Sequence, residues 1–247
     1  MDFTIEEVSM NAWPGLKTLF YDGWVIQLAN GYTNRANSVN PIYPSTIKLE
    51  EKFNYCDKLF TRHNLATAYK LLSFDEYKHI DRELEKQNYQ KIHETSILVC
   101  KTPAQPEKKY NGIIVRDEFD EQWINSASNY SQVEEKHIPT FSAILGKIAE
   151  EKIVVRKETA DGTAGCGYGV IGNNYVGVFG IVVKESQRRK GYGREIVETI
   201  LDEAGKRGVK KSFLQVMISN SIAIHLYEKL GYCEIYRYWY RKKGIGE

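Results

Sequence analysis

From Tyr175 to Val183 the chain reads Tyr-Val-Gly-Val-Phe-Gly-Ile-Val-Val, without a single charge. The run is far short of the roughly 20 apolar residues of a membrane span. It suits a strand covered on both faces, and covering both faces takes helices. The downstream sequence supplies them. Ile196, Val197, Ile200, Leu201 and Ala204 form one stripe at helical spacing. Gly205 and Gly208 bracket the end of that helix, with Lys206 and Arg207 suited to its negative terminus. Ser212–Met217 reads as a strand. A second helix starts near Ser219 or Asn220, both good N-caps, buries Ile222, Ala223, Leu226, Tyr227 and Leu230, and stops at Gly231. The aromatic strand Cys233–Arg241 closes the chain. Upstream lie a short strand, Gly112–Val115, polar helical material over Phe119–Glu150, and the strands Lys152–Lys157 and Ala164–Gly172. The alternation predicts an α/β (α+β) fold, a mixed sheet flanked by helices.

The sharpest break in composition is Lys101–Lys109, with Pro103 and Pro106, several charges and almost nothing apolar. It reads as a surface linker and predicts two domains, 1–103 and 112–247. The first half echoes the order of the second. Gly23–Val39 reads as strand and Thr46–Arg62 as a helix burying Leu49, Phe53, Cys56 and Phe60. Ala66–Leu72 is a strand. Ser73 and Glu76 form a capping box opening a helix to about Gln87, and Lys91–Cys100 closes the half. Glu85, Lys86, Tyr89 and Ile92 align with Glu228, Lys229, Tyr232 and Ile235, suggesting an internal duplication. In that alignment Leu84 stands opposite Tyr227 and Tyr77 opposite Asn220.

The formal net charge of +2 over 247 residues is too balanced for wholesale nucleic-acid or membrane binding. Cys56, Cys100, Cys166 and Cys233 are scattered singly, and His63, His79, His93, His137 and His225 share no ligand spacing, so no metal site is expected. Four reduced thiols and the absence of a signal-like start predict a cytoplasmic protein.

The chemistry concentrates in Arg188, Arg189, Lys190, Gly191, Tyr192, Gly193 and Arg194, between the apolar strand and an amphipathic helix. Helix-start N–H groups point outward unpaired and favour anions. Glycines let the main chain approach a phosphate, and the cations add charge, so the segment reads as a pyrophosphate cradle. Rossmann and P-loop readings fail: Ile196 stands where the third Gly of the first would be needed, and no Gly-Lys-Ser/Thr is present.

Arg188, Gly191 and Gly193 after Ile181, Val182 and Val183 resemble the acetyl-CoA signature of the GNAT (GCN5-related) N-acetyltransferases. The second signature of that superfamily is resembled downstream by Asn220, Ala223, Tyr227, Glu228, Lys229, Leu230, Gly231 and Tyr232. The resemblance covers about Gly112 to Lys243, and the first half resembles a degenerate GNAT-like half of a tandem protein. It implies that main-chain groups of Ile181 to Val183 pair with the pantetheine arm. It further implies that the amides of Arg189 to Arg194 hold the pyrophosphate, that Asn220 hydrogen-bonds the cofactor, and that Tyr227 is the general acid. A phenol of pKa about 10 can protonate a departing thiolate of pKa about 8.5. The family often places a Glu on the strand before the signature; Tyr175–Val183 has no carboxylate, so no general base is assigned.

The resulting expectation is acetyl transfer from acetyl-CoA, used as co-substrate without a metal, to a primary amine of a small molecule. The first half would be a pseudo-dimer partner of the second, in a monomer or weak homodimer. Alternatives are a protein N-terminal acetyltransferase and a non-catalytic CoA-sensing module. Asn34 to Ser38 is unusually polar for a strand and reads as a hydrogen-bonded turn or edge before it reads as substrate-binding. Cys166 lacks a His partner and is not a nucleophile. Tyr236, Tyr238, Trp239 and Tyr240 read as sheet core.

Overall fold

The structure, a computed structural model, describes residues 3–102 and 109–244. The expected linker falls mostly outside the described residues. The first half contains α1 (Thr4–Ala12), β1 (Lys17–Tyr21), β2 (Trp24–Leu28), β3 (Ser38–Pro41), α2 (Leu49–Arg62), β4 (Ala68–Leu72), α3 (Lys78–Lys86) and β5 (Gln90–Lys101). The second contains β6 (Ile113–Arg116), α4 (Glu121–Tyr130), α5 (Ile138–Gly146), β7 (Glu151–Thr159), β8 (Gly162–Gly172), β9 (Tyr175–Val183), α6 (Tyr192–Lys206), β10 (Lys211–Met217), α7 (Ser221–Lys229) and β11 (Cys233–Lys242).

Instead of a mixed sheet in each half, one sheet of 11 strands crosses the molecule in the order β1-β2-β3-β4-β11-β5-β10-β9-β8-β7-β6. The closing strands are exchanged. β11 lies antiparallel between β4 and β5, and β5 lies antiparallel between β11 and β10. The exchange comes from where β11 finds its core: Tyr238 and Tyr240 are buried in one cluster with Tyr69, Leu71 and Leu72 of the first half.

The duplication is visible in hydrogen bonds. After α3 the N–H of Tyr89 donates to Leu84 O at 3.0 Å. After α7 the N–H of Tyr232 donates to Tyr227 O at 3.1 Å. The left-handed residue of each turn is Asn88 (φ 66°) in one and Gly231 (φ 84°) in the other. Tyr89 and Tyr232 are both buried. A left-handed residue after the last helical turn is the common way to end a helix, which is why Asn and Gly occupy these positions.

Two apolar clusters lie on the two sheet faces. α6 and α7 cover Val176 and Val178 of β9 with Leu214 and Val216 of β10. On the other face α1, α4 and α5 pack with Tyr168, Phe179 and Val182. Alternation along β9 therefore breaks between Phe179 and Val182. The cause is a β-bulge: Gly180 (φ 60°) and Ile181 together stand opposite Gly167, between the pairs Phe179–Tyr168 and Val182–Cys166.

Four local readings need correction, the first being Ile222 of α7, which is 82% exposed where burial was expected. α1 and β1 precede the expected first strand, although Ile5, Val8 and Ala12 already carry a buried helical spacing. Gly23–Val39 is two strands divided by a left-handed pair, Asn30 and Gly31, and a 3₁₀ turn over Asn34–Ala36. The capping box does not form. Ser73 instead joins β11, donating its N–H to Arg237 O at 2.8 Å and accepting Arg237 N–H on Oγ at 3.0 Å.

Glu6 of α1 and Lys70 of β4 form an ion pair, at 2% and 4% side-chain exposure. Tyr236 donates to the same carboxylate at 2.8 Å, and the ammonium lies 4.1 Å from the Tyr238 ring centroid. Removing one partner strands a buried charge. Glu6→Ala is expected to cost about 3–5 kcal/mol in denaturant-unfolding free energy. The double change Glu6→Leu with Lys70→Met is expected to restore most of it.

Candidate functional site

β9 and β10 run parallel, paired from Tyr175–Lys211 to Val178–Leu214 and no further. β10 stays bonded to β5 as far as Met217–Thr95, and β9 to β8 as far as Val183–Gly165. The two strands part between these anchors. The β10-facing main chain of Ile181, Val182 and Val183 is thus left as a free strand edge, and its side chains are half-buried. Such an edge can accept an extended chain carrying amides.

The segment after β9 starts α6. Arg189 (φ 63°) and Gly191 (φ 87°) are left-handed, and Gly191 is the N-cap without any side-chain cap. The first intrahelical bond is Glu195 N–H to Gly191 O at 3.1 Å, so the N–H groups of Tyr192, Gly193 and Arg194 precede the ladder. Arg188, Arg189 and Lys190 are exposed. Arg188 Nε donates to Val183 O at 3.3 Å and Lys190 Nζ to Gln187 Oε1 at 2.7 Å. Arg194 is held by Glu198 at 3.1 Å. Among the described residues Arg188, Arg189 and Lys190 have no carboxylate partner. A free strand edge, uncapped helix amides and unneutralised cations fit the pantetheine and diphosphate of acetyl-CoA. The fit rests on the main chain of Ile181 to Val183 and on residues Arg188 to Arg194.

α7 abuts this segment: an ideal Cβ on Gly193 would stand 3.9 Å from Leu226 Cδ2. Asn220 caps α7, its Oδ1 accepting Ala223 N–H at 3.2 Å, and is exposed. Tyr227 is 8% exposed and packs with Tyr232, ring centroids 6.0 Å apart. Burial pushes its pKa up to about 12. The phenol therefore keeps its proton through the neutral and alkaline range, as a proton donor must.

The first half holds an internal control. Its counterpart of the α6 entry is the glycine-free loop before α2, and there a carboxylate of the chain itself occupies the amides. Asp22 accepts the N–H groups of Thr46 at 3.0 Å and Ile47 at 2.8 Å, the Ser45 hydroxyl at 2.7 Å, and the buried Lys52 ammonium at 3.0 Å. Hydrogen bonds from Ser45 and Ile47 hold its pKa far below the usual carboxylate range. Thr46 and Ile47 precede Lys48, the N-cap of α2, so the carboxylate braces the loop that leads into this helix, where the second half has glycines and cations instead.

On the sheet face opposite α6, a cavity of about 570 Å³ opens where the two halves meet. Gly180 of the bulge and Gln215 and Met217 of β10 bring it to the mouth of the strand gap. Trp13, Tyr32, Phe141 and Tyr168 give it an aromatic wall, and Asn34, Arg35, His93, Tyr238 and Lys242 a polar one. Gln215 ties the two together, accepting the Tyr238 hydroxyl at 2.8 Å and donating to Ser9 at 2.7 Å. The Tyr240 hydroxyl at this wall is buried without a partner.

The residues singled out from sequence lie in β9, at the entry to α6 and in α7 with its cap; this cavity, whose lining comes from both halves, was missed. Asn37 is the expected hydrogen-bonded turn residue, accepting Ala29 N–H at 2.7 Å and Gly31 N–H at 3.0 Å. Its neighbours Asn34 and Arg35 face the cavity. His93, read from sequence only as a non-ligand, sits left-handed (φ 53°) at a bulge in β5 and lines it too. Tyr238 and Tyr240 are sheet core, as expected, and cavity wall as well. All four cysteines are free; burial pushes the Cys166 thiol up to about 12, consistent with an inert side chain. Among the described residues no cluster suits a metal ion, and no helix is long and apolar enough to cross a membrane.

Comparison with known proteins bears on the family and the fold. A family model described as "Probable histone acetyltransferase Rv0428c C-terminal" matches residues 4–241. The N-acetyltransferase YobR of Bacillus subtilis, itself uncharacterised, is 24% identical over 97% of each chain. A GCN5-related N-acetyltransferase from Kribbella flavida superposes with a TM-score of 0.69 at 13% identity, covering 100% of this chain and 97% of that one. A tandem GNAT protein from the clavulanic acid biosynthesis pathway gives 0.65 at 10% identity, covering 91% and 79%. At such identities the two structures speak for the fold alone.

The Asp22 plug has a measurable consequence. Its folded-state pKa lies below that of the unfolded chain, so its stabilisation is full above about pH 4 and fades as pH falls. Asp22→Asn is expected to lower the thermal midpoint at pH 7, with the gap to wild type closing as pH falls below about 4. A gap constant from pH 7 to pH 3 would contradict the assignment.

Proposed function

Because the chain belongs to the Rv0428c C-terminal family of N-acetyltransferases, within the GNAT superfamily, we propose that it moves the acetyl group of acetyl-CoA to a primary amine of a small molecule held in the cavity between its halves. The observation that carries this reading is the gap between β9 and β10. The uncapped helix start lies on one side of it, and an open, aromatic-walled cavity on the other. Acetyl-CoA, when bound, supplies an acyl group already activated as a thioester.

The chain does the rest. The amides of Tyr192 to Arg194, with Arg188, Arg189 and Lys190, hold the diphosphate, and Asn220 donates to the cofactor. Ile181, Val182 and Val183 align the pantetheine arm by main-chain bonds. The bulge at Gly180 and Ile181 turns a backbone N–H toward the carbonyl oxygen on which negative charge develops. Tyr227 carries the proton that the departing thiolate takes. The cavity presents the amine and excludes competing water.

Turnover of acetyl-CoA across a panel of small amines and short peptides with free N-termini tests this. Small amines are expected to be acetylated. Tyr227→Phe is expected to lower kcat about 100-fold, with the KM for acetyl-CoA nearly unchanged. With Tyr227 titrating only near pH 12, the wild-type rate should not decline between pH 8 and 10 through loss of its proton. Peptides used in preference to every small amine would favour protein N-termini, and CoA binding without any turnover would favour a sensor.

A further inference from the structure

We propose that the acceptor is an amine that also carries a carboxylate, and that Arg35 is the residue that binds that acid group. The inference rests on the acetyl-transfer reading and names the substrate class of the same site. None of the residues lining the cavity is an aspartate or glutamate, whereas Arg35, Lys242 and His93 all line it. Arg35 lies 5.8 Å from the Trp13 ring centroid and has no carboxylate partner among the described residues. Its charge reaches three cavity tyrosines. Burial raises the pKa values of Tyr32, Tyr168 and Tyr240, and in each Arg35 opposes that rise.

The neighbouring groups are donors as well. Lys242 Nζ can only donate, and it donates to Asn34 Oδ1 at 3.1 Å, which fixes the Asn34 amide. Asn34 Nδ2 must then donate to His93 Nδ1, 3.1 Å away. The imidazole is thereby set as the neutral tautomer with its proton on Nε2, a further donor. A half-buried guanidinium, an ammonium and an imidazole N–H against an aromatic wall make a site for an acid with an apolar or aromatic body.

The same field serves the reaction. The charged side chains that line this cavity, Arg35 and Lys242, are cations, so an ammonium beside them loses its proton more easily. The attacking amine must be neutral. Arg35 and Lys242 against the acceptor's one carboxylate leave a net positive charge, which favours the neutral amine, its proton passing to solvent.

Three pairs test the proposal on the full chain: phenylalanine with phenethylamine, leucine with isopentylamine, and methionine with 3-(methylthio)propylamine. Each pair differs by the carboxylate alone. Dissociation constants are measured by ligand-observed NMR with and without saturating CoA, so no turnover is needed. The amino acid of at least one pair should bind ten-fold or more tightly than its amine. Arg35→Gln should abolish that ratio while leaving the CoA dissociation constant within about two-fold. Equal or tighter binding of all three amines, no binding of any probe, or a ratio that survives Arg35→Gln would overturn the proposal. An intact ratio in a protein that does not bind CoA would uphold the acid site and overturn the acetyl-transfer reading. CoA binding with amines preferred would overturn the acid site alone.

Discussion

β10 cannot serve two partners along its whole length, and the site depends on which partner wins. Its antiparallel register with β5 runs from Lys211 to Met217, whereas its parallel register with β9 ends at Leu214. Antiparallel pairing is somewhat the stronger per residue. β9 is held on its other side by β8 out to Val183, through a bulge that bends and twists it. Each strand is thus anchored to an outer neighbour, and the weaker parallel contact between them gives way. The opening is imposed by the sheet and does not depend on a flexible loop. Exchange of the closing strands is part of the cause, because β5, the strand that draws β10 away, comes from the first half.

The two halves use the same plan differently. β3 and β4 are also parallel neighbours, and they pair only at Val39–Tyr69. The first half therefore has its own strand gap and its own helix after it. What separates the halves is charge at the helix entry: Asp22 satisfies the amides before α2, while those before α6 meet Arg188, Arg189 and Lys190. The first half contributes Asn34, Arg35 and His93 to the cavity wall. The second half adds Tyr238, Tyr240 and Lys242 by sending β11 across.

The donor side was legible in the sequence because it is built from consecutive residues. An apolar strand, a glycine-containing turn and an amphipathic helix keep their meaning when read in order, and β9 has the bounds its apolar run predicted. Tyr227 and Asn220 were legible for the same reason, both lying in one short helix and its cap. The acceptor side was not, because its parts lie far apart in the chain: Trp13 and Arg35, His93, Phe141, Gln215 and Lys242. No local pattern announces which strand will lie beside β4, so the exchange of β11 stayed invisible, and with it the cavity. Ser73 shows the same limit on a small scale. Its local signature was that of a helix cap, but a strand more than a hundred residues away took its hydrogen bonds.

Strain and polarity distinguish this cavity from a packing defect. Empty voids in protein interiors are apolar and stay dry, and a gap left by poor packing has no reason to collect irregular backbone. Here Gly31 (φ 73°), His93 (φ 53°) and Gly180 (φ 60°) all lie in the lining, contributed by a β2–β3 connection, a bulge in β5 and a bulge in β9. Holding a histidine left-handed costs on the order of 1–3 kcal/mol, and the buried Tyr240 hydroxyl without a partner about as much again. Two strands on either side of β10 have each been made irregular where they line the cavity. The bulge in β9 brings Gly180 into the lining, and the bulge in β5 brings His93. The cost is distributed over both halves.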